Sequence, residues 1–444
     1  MKIRALALAC LAGLALPTAA QAQNRLILVN TQDLSTICSS SNAFFIGNNP
    51  SSVELVGDRL FVGGFNNSGV GGTNTYFTVI GNIFGTRTFL RPAASVIAMP
   101  NSRGFTGMDY MEGQGLLMTY DAGSFGTANQ VRLWDIDTQI NPILVRSSPA
   151  SFSPRGGSGP AWDAGFDGQG FNDGVSVRPV PSVFDGSTAS GGGSGLNPAL
   201  LSGDSFDLLF FPGGGSISIS GAPLRGTFWR DADIHPTNGT IVARAADDVV
   251  IATRNGANDV LGTRTIVTGG LDPGGNVPQT IGQNVAIMNG FPGGDVIVYN
   301  SRALTAAGQP FAGVVKFINM NGTARTMSFE NLDGSPVTFP TGNAYYSFSW
   351  DAKNQRLAIA DFANRIAWIF IANCPADYDS TGFIDSDDFV TFVADFAEGC
   401  TAAGTPGAAD PNYSCFANAD FDRSGFVDSD DFVAFVTAFS NGCF

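Results

Sequence analysis

The stretch Met108-Asp-Tyr-Met-Glu-Gly-Gln-Gly-Leu-Leu-Met118 carries the pattern that decides the fold: an apolar strand, a tight polar turn and a second apolar strand. The same pattern recurs along the chain at Val53–Val62, Ala232–Val242, Val285–Tyr299 and Tyr346–Ile359, with a degenerate copy at Ala161-Trp162-Asp163. In two copies the spacing from aspartate to glycine is identical, Asp109 to Gly115 and Asp233 to Gly239. Short apolar runs between glycine-rich turns are typical of β-strands.

The repeat predicts a mainly β protein built as a β-propeller. The copies start roughly every 55–65 residues, which leaves room for about six units. One four-stranded unit cannot bury both of its faces, whereas radial stacking buries them and leaves short edges. We therefore expect a six-bladed propeller, closed by Leu26–Val29 pairing beside Ile366–Phe370. The pattern resembles NHL and quinoprotein-like propellers; a tandem of β-sandwiches and a β-helix remain alternatives.

The start of the chain indicates export. Lys2 and Arg4 precede an apolar run from Ala5 to Leu16, and Ala20-Gln21-Ala22 fits a cleavage site. The run is too short to span a bilayer, and no later stretch predicts a membrane span. We expect a signal peptide at 1–22, a β-propeller-like domain at 23–373 and a small module at 374–444. The mature protein would be secreted or associated with the cell surface.

The negative charge is concentrated in the C-terminal module. The formal net charge of the chain is -15, and twelve Asp and Glu398 lie after residue 373 against a single base, Arg423. Bound cations would offset this charge. Nucleic acid is not an expected partner, because the sequence contains no basic patch.

Two matching acidic loops account for much of that charge. Loop 1 runs from Asp377 to Asp388, and loop 2 runs from Asp420 to Asp431. Each has oxygen-bearing side chains at positions 1, 3, 5, 9 and 12 and glycine at position 6. Oxygens at alternate positions, a sharp turn and a late carboxylate suit a hard cation such as Ca²⁺. An amphipathic helix is expected after each loop, from Phe389 to Phe396 and from Phe432 to Phe439.

No helix is expected before either loop, so each unit is half of an EF-hand. This duplicated half-hand, closed by aspartate and framed by cysteines, resembles the dockerin module, in particular the GC-type dockerin-like modules that end many exported bacterial proteins. The resemblance covers about the last 70 residues. It implies two Ca²⁺ ions and a protein partner of the cohesin kind. The residue pairs at positions 10 and 11 depart from the usual cohesin-binding pattern.

The resemblance also implies the ligands of each ion. The first ion would be held by Asp377, Asp379, Thr381, the Phe383 carbonyl, Asp385 and Asp388. The second would be held by Asp420, Asp422, Ser424, the Phe426 carbonyl, Asp428 and Asp431. Position 5 is Thr or Ser in these loops, so each site lacks one carboxylate of the full pattern.

Five cysteines remain after the signal peptide, and their spacing in an exported chain suggests disulfides. The preferred pairs are Cys374–Cys400 and Cys415–Cys443. Cys38 would then be free; alternatively it pairs with Cys374, and the others pair differently.

The sequence contains no recognisable catalytic motif. His235 is the only histidine and lies in a repeat turn, where a solvated residue is expected. No Gly-x-Ser-x-Gly or Cys-x-x-Cys motif occurs. Asp109 and Asp233 occupy equivalent places in two repeats, so they could meet at one end of the channel as a carboxylate pair. The alternative is that this aspartate caps a turn of the repeat.

These patterns favour a non-catalytic binding protein. The propeller would present a recognition surface for a glycan or protein ligand, and the C-terminal module would bind two Ca²⁺ and anchor the chain to a partner or a surface assembly. The alternative is an extracellular carbohydrate-active enzyme, a glycoside hydrolase or polysaccharide lyase, carried by its dockerin-like module.

Overall fold

A computed structural model describes most of the β region and two C-terminal helices. The described residues are 24–66, 75–92, 104–111, 115–122, 130–137, 141–147, 160–163, 171–172, 177–178, 180–185, 195–202, 207–210, 217–218, 229–245, 248–255, 260–268, 284–300, 315–331, 335–340, 346–372, 376, 378, 386–398, 419, 421 and 427–441. Among the helices of these residues, none combines the length and hydropathy that crossing a bilayer requires.

The chain folds as a β-propeller, which confirms the architecture predicted from the repeat. After strand β1 (Arg25–Asp33), most of the β region forms antiparallel sheets of four consecutive strands. Blade 1 contains β2 (Asn49–Val56), β3 (Arg59–Phe65), β4 (Thr78–Gly81) and β5 (Thr88–Leu90). Blade 2 contains β6 (Gly104–Met111), β7 (Leu116–Ala122), β8 (Gln130–Asp135) and β9 (Ile143–Ser147).

The next part of the chain forms an irregular sheet. It contains β10 (Pro160–Asp163), β13 (Val180–Asp185), β14 (Gly195–Ser202), β15 (Asp207–Phe210) and β16 (Ile217–Ser218). A separate hairpin of β11 (Phe171–Asn172) and β12 (Val177–Arg178) interrupts it. Strand β14 pairs with β13, β15 and β16, so the strands do not follow simple chain order.

Three regular blades complete the propeller. Blade 3 contains β17 (Trp229–Ile234), β18 (Ile241–Ala245), β19 (Asp248–Asn255) and β20 (Val260–Thr268). Blade 4 contains β21 (Val285–Met288), β22 (Val296–Asn300), β23 (Val315–Asn319) and β24 (Ala324–Arg325). Blade 5 contains β25 (Ser328–Glu330), β26 (Tyr346–Asp351), β27 (Arg356–Asp361), β28 (Ile366–Ile371) and β1.

The blade count predicted from the sequence is wrong. The described residues form five regular blades, one fewer than the six expected, and the irregular sheet lies between blades 2 and 3, where β10 contacts β6 and β17. The degenerate repeat copy Ala161-Trp162-Asp163 predicts a sixth unit there. These residues do form a strand, as part of β10, but the sheet that follows is irregular. The long Gly/Ser-rich stretch at 186–195 provides few side chains that could fix a regular blade.

The two ends of the β region close the ring, as predicted. Strand β1 pairs antiparallel with β28, and Leu28 lies opposite Phe370. The inner strands of neighbouring blades contact each other from β17 to β21, β26, β2 and β6. Because both faces of a blade pack on neighbouring blades, strands such as β28 (Ile-Ala-Trp-Ile-Phe-Ile) are buried along almost their whole length.

Three of the repeat turns share a backbone geometry that favours glycine. Gly57, Gly115 and Gly239 follow the inner strands of blades 1, 2 and 3, and their φ angles are 61°, 63° and 64°. These values lie in the left-handed region, where a side chain is strained. The glycine that the sequence pattern singles out is therefore required by the hairpin between the first two strands.

Gly104 has a different role, because it brings blade 2 against blade 1. Its φ is +108°, and a Cβ atom there would lie 2.0 Å from the Gly64 carbonyl oxygen. We expect Gly104→Ala to destabilise the propeller by at least about 2 kcal/mol, through strain and overpacking. Gly57→Ala is the matched control: its φ is +61°, but nothing lies within 4 Å of the added Cβ, so the loss should be about 1 kcal/mol. If Gly104→Ala and Gly57→Ala shift the urea midpoint by the same amount, the close contact between Gly104 and the Gly64 carbonyl would be contradicted.

The predicted helices follow both acidic loops. Helix α1 is Ser386–Glu398 and helix α2 is Ser429–Asn441. The fully buried rings of Phe392 and Phe435 stack with centroids 3.9 Å apart, so the equivalent face of each helix packs on the other. Val390 and Val433, which the periodicity places on the apolar face, are 64 % and 61 % exposed and do not belong to this core. The expected domain boundary at 373/374 lies outside the described residues.

Candidate functional site

A cavity of about 930 Å³ opens at the centre of the propeller. All five blades contribute to its wall through their inner strands β2, β6, β17, β21 and β26 and the turns that follow them. This is the size of a small-molecule pocket. The repeat therefore places one inner-strand segment of every regular blade around a common space.

The wall of this cavity is strongly acidic. Among the described residues of the wall, Arg59 and Lys353 are the basic ones. The acidic residues on it are Glu54, Asp58, Asp109, Asp137, Asp231, Asp233 and Asp351. Arg59 contacts the Asp137 carboxylate at 3.3 Å, and Lys353 is exposed. The inner part of the cavity thus combines carboxylates from several blades.

Some of these carboxylates join one blade to the next. Oδ2 of Asp233 accepts the Ile287 N–H at 2.7 Å, and Oδ2 of Asp231 accepts the Val285 N–H at 3.0 Å. Between blades 5 and 1, Asp351 accepts the Gly57 N–H at 3.0 Å. The described inner strands of neighbouring blades lie side by side but do not pair by backbone hydrogen bonds. Some of their backbone N–H groups therefore lack a backbone acceptor, and these side chains accept their hydrogen bonds.

Serines make the same connection between blades 5 and 1. The Ser347 and Ser349 hydroxyls accept the N–H groups of Val53 and Leu55 at 3.2 and 2.9 Å. The Ser349 hydroxyl also hydrogen-bonds the Glu54 carboxylate. Ser349 therefore links the backbone of blade 1 to Glu54 on the cavity wall.

Burial dominates the electrostatics of Glu54. Its side chain is 8 % exposed, and this burial, followed by repulsion from Asp109, raises its pKa well above the usual range. The hydrogen bond from Ser349 acts in the opposite direction, and the charges of Asp233 and Asp351 raise the pKa further. Burial also raises the pKa of Asp233 to about 6, although N–H donors from Ile287 and Ile234 oppose it.

The raised pKa values of Glu54 and Asp233 predict how the stability of the propeller changes with pH. An acid whose folded pKa lies above its unfolded value binds a proton on folding, so stability is lost as pH rises between the two values. For Asp233 that window runs from 3.8 to about 6, and for Glu54 it starts at 4.5. We expect Glu54→Gln to raise the free energy of unfolding relative to wild type at pH 8 but not at pH 4, measured in urea with calcium held constant.

The matched control for this measurement is Glu330→Gln in β25, which removes the same charge away from the cavity. It should show no such pH-dependent gain. A Glu54→Gln variant that is less stable than wild type by the same amount at both pH values would contradict the assignment of strain to the Glu54 charge.

The structure brings the two predicted carboxylates, Asp109 and Asp233, to the wall of one cavity. By ladder position they differ: Asp109 pairs with Met118 in the third pair from its hairpin turn, whereas Asp233 pairs with Val242 in the second pair. They are equivalent only in their spacing to the turn glycine. The alternative that this aspartate caps a turn is wrong for Asp233, whose carboxylate binds backbone N–H groups of Ile234 and Ile287. Whether the pair has a catalytic role stays a prediction.

His235 is not the solvated turn residue that the sequence suggests. It is 4 % exposed, and Nε2 lies 2.9 Å from Oδ2 of Asp295 in blade 4. Nδ1 accepts the N–H groups of Thr237 and Asn238, so the neutral ring carries its proton on Nε2 and donates it to Asp295. This histidine fixes the turn of blade 3 against blade 4.

Sequence reasoning missed Glu54, although a signal was present. Glu54 is a charged residue between the apolar residues Val53 and Leu55 in a repeat copy. A buried charge in the inner strand of a propeller suggests the channel wall.

Few of the predicted calcium ligands fall within the described residues. Asp388 and Asp431 lie in the first turns of α1 and α2, and both are fully buried. Asp428 is exposed, and its N–H donates to Oδ2 of Asp431 at 2.7 Å. Outside the described residues lie Asp377, Asp379, Thr381, Phe383, Asp385, Asp420, Asp422, Ser424 and Phe426. Among the described side chains, no three His, Cys, Asp or Glu form a ready metal site.

Cys38 is buried and carries a free thiol, and burial raises its pKa to about 12. Both pairing schemes stay predictions. The cysteines of the C-terminal module, Cys374, Cys400, Cys415 and Cys443, lie outside the described residues.

Solved structures resemble this chain only remotely. The major allergen Mala s 1 of Malassezia sympodialis has a TM-score of 0.42 and 10 % identity, covering 78 % of this chain and 96 % of that one. The Cps50 (Swd1) β-propeller domain of Myceliophteria thermophila has a TM-score of 0.36 and 10 % identity, with coverages of 72 % and 96 %. Raptor of Chaetomium thermophilum has a TM-score of 0.40 and 10 % identity. The match covers 80 % of this chain but only 30 % of Raptor.

No protein-family model and no curated protein matches the chain. The fold assignment therefore rests on the sheet topology itself, and the function has to be argued from the residues.

Proposed function

We propose that this chain is an exported, non-catalytic binding protein whose propeller presents a recognition surface and whose C-terminal module binds two Ca²⁺ and anchors it. The observation that carries the proposal is the matched burial of Asp388 and Asp431. Both close an acidic loop, both begin a helix, and both are fully buried. The duplication in sequence thus coincides with duplication in structure.

Burial of these two carboxylates fits calcium chemistry. Buried charges in proteins are paired, hydrogen-bonded or bound to metal ions. The first turn of a helix favours a carboxylate, and the last position of a calcium loop supplies the carboxylate that closes the cage. Asp388 and Asp431 would therefore be the innermost ligands of the two ions, with the loop oxygens that the dockerin resemblance implies around them.

The small core of the module explains why calcium would matter to it. Its described core is an aromatic cluster centred on Tyr378, Phe392 and Phe435. A module of about 70 residues with a thin core needs additional stabilisation, and metal binding supplies folding free energy. Calcium would then fix the relative positions of α1 and α2, and with them any docking surface.

The helix pair also presents a surface for a protein partner of the cohesin kind. Val390 and Val433 occupy equivalent positions in the two helices and are 64 % and 61 % exposed. Phe389 and Phe432 beside them are 36 % and 37 % exposed, with ring centroids 6.4 Å apart. Apolar residues that stay exposed in such a small module suit an interface.

Fractionation of the producing cells tests this proposal. With calcium present, we expect the protein on the outside of the cell, retained at the surface. A wash with a calcium chelator should release it, and addition of calcium should restore its retention. Protein that stays in the cytoplasm, or retention that the chelator does not change, would contradict export or calcium-dependent anchoring respectively.

A carbohydrate-active hydrolase is the second candidate, and one observation favours it. Asp109 and Asp233 line the same cavity, and the pKa of Asp233 is raised to about 6, which suits a general acid. Turnover of a polysaccharide that both Asp109→Asn and Asp233→Asn abolish, in variants that keep their fold, would favour this candidate over the binding protein.

A further inference from the structure

We propose that the propeller cavity binds an ammonium group carried on an aliphatic chain, with the Glu54 carboxylate as the anchor of its charge. The inference rests on the proposed function, because it names the ligand class of the domain that we assign to recognition. Its source would be either a free polyamine or the side chain of a lysine in another protein, since both present the same chemical group.

The acidic residues of the cavity differ in what they already bind. Asp231, Asp233 and Asp351 each use a carboxylate oxygen to accept a backbone N–H of the neighbouring blade. Among the described residues, Glu54 receives a hydrogen bond from the Ser349 hydroxyl and none from a backbone N–H donor of a neighbouring blade. An ionised carboxylate offers about four acceptor positions. Glu54 therefore retains acceptor capacity, and it lies on the cavity wall.

A ligand with positive charge would relieve the repulsion around Glu54. Asp109, Asp233 and Asp351 belong to three other blades, and each acts on Glu54 electrostatically. Its own burial and these neighbouring charges raise the pKa of Glu54. A bound ammonium would balance the charge of the Glu54 carboxylate and would form charge-assisted hydrogen bonds, which are stronger than neutral ones.

The arrangement favours an organic cation over a directly coordinated metal ion. The carboxylates surround the cavity from different blades, and no three acidic side chains of the described residues lie close enough to hold one metal ion. An ammonium has three N–H donors on one nitrogen and can reach acceptors by hydrogen bonds over a wider space.

The rest of the wall suits the aliphatic chain of such a ligand. Met108, Phe348 and Trp350 line the same cavity and offer apolar surface to methylene groups. The basic residues among the described part of the wall have other partners or are exposed. The Arg59 guanidinium is bound to the Ile136 carbonyl and to Asp137, and Lys353 is exposed.

Calorimetric titration of the intact protein with cadaverine tests the inference. The control ligand is the diol of the same chain length, which has hydroxyls in place of both ammonium groups. Titrations at about 0.15 M salt suppress weak attraction of amines to an acidic surface. We expect one saturable site for cadaverine and none for the diol. Equal binding of the two, or no binding of cadaverine, would overturn the proposal.

Two variants of equal net charge locate the site. Glu54→Gln should weaken cadaverine binding roughly tenfold or more, because it removes the charge that anchors the ammonium. Glu330→Gln should leave the affinity unchanged. Unchanged affinity in a folded Glu54→Gln protein would overturn the role of Glu54. If that variant does not fold, the comparison of diamine with diol on the wild-type protein still decides whether the site binds an ammonium.

A second arm distinguishes the sources of the ammonium group. Nα-acetyl-lysine methylamide presents a lysine side chain without free termini. Binding of both amines to the site supports a lysine of a protein, and binding of cadaverine alone supports a free polyamine. A protein that keeps calcium-dependent surface retention but binds neither amine would overturn this inference and leave the proposed function in place.

Discussion

Replacing Trp134 with alanine is expected to lower the free energy of unfolding of the propeller by about 3–5 kcal/mol, among the largest effects of a single change in this fold. Trp134 is completely buried between blades 1 and 2. Its ring lies 5.0 Å from Phe77 and 6.4 Å from Phe105 in edge-to-face geometry, so alanine would leave a cavity lined by aromatic rings.

The loss of a buried hydrogen bond adds to the destabilisation that the cavity causes. Nε1 of Trp134 donates to the Thr119 hydroxyl at 2.8 Å, and Thr119 is also fully buried. Removal of the indole would leave that hydroxyl without its donor, which is unfavourable in a dry core. Urea denaturation followed by circular dichroism measures the change, because the signal reports the β-structure.

Two variants separate packing from other causes. Trp134→Phe keeps most of the ring volume but loses the N–H, so its loss should be intermediate. Phe89 lies in the outer strand β5 and is 38 % exposed, so Phe89→Ala should have a clearly smaller effect, about 1 kcal/mol. Equal losses at Trp134 and Phe89 would mean that the core between blades 1 and 2 is not packed as described.

Asp388→Ala and Asp431→Ala are expected to remove one calcium ion each from the intact protein. Each carboxylate closes one loop and is fully buried at the start of its helix, so alanine removes both a ligand and the negative charge that the ion would balance. Because Phe392 and Phe435 stack across the helix pair, loss of either ion should also weaken the packing of the other half.

The neighbouring aspartates provide matched controls. Asp387 and Asp430 each precede a closing carboxylate by one residue and are exposed. Asp387→Ala and Asp430→Ala change the charge by the same amount and should leave both sites intact. If the buried and the exposed aspartates give the same calcium stoichiometry after substitution, the ligand assignment is wrong.

The sequence predicted the parts of the fold that depend on local backbone geometry. In three repeat copies the glycine marks a hairpin with positive φ, at Gly57, Gly115 and Gly239, and this can be recognised from spacing alone. The closing pair of β1 with β28 followed from two apolar runs at the ends of the β region. The two C-terminal helices followed from apolar periodicity after each acidic loop.

The parts that failed depend on contacts between blades. Spacing cannot show whether Ala161-Trp162-Asp163 starts a regular blade, because the regularity of a sheet depends on how its later strands pair. Burial of His235 depends on Asp295 of the next blade, 60 residues further along the chain. The acidity around Glu54 arises only when inner strands of several blades meet, so no local pattern reveals it.

Calcium titration of the intact, calcium-free protein by calorimetry tests the central claim most directly, namely that the twin loops form two calcium sites. We predict two ions per chain, with a gain in helical circular dichroism as α1 and α2 are fixed in place. A stoichiometry of zero, or binding that gives the same stoichiometry in the Asp388→Ala and Asp431→Ala double variant, would contradict the claim.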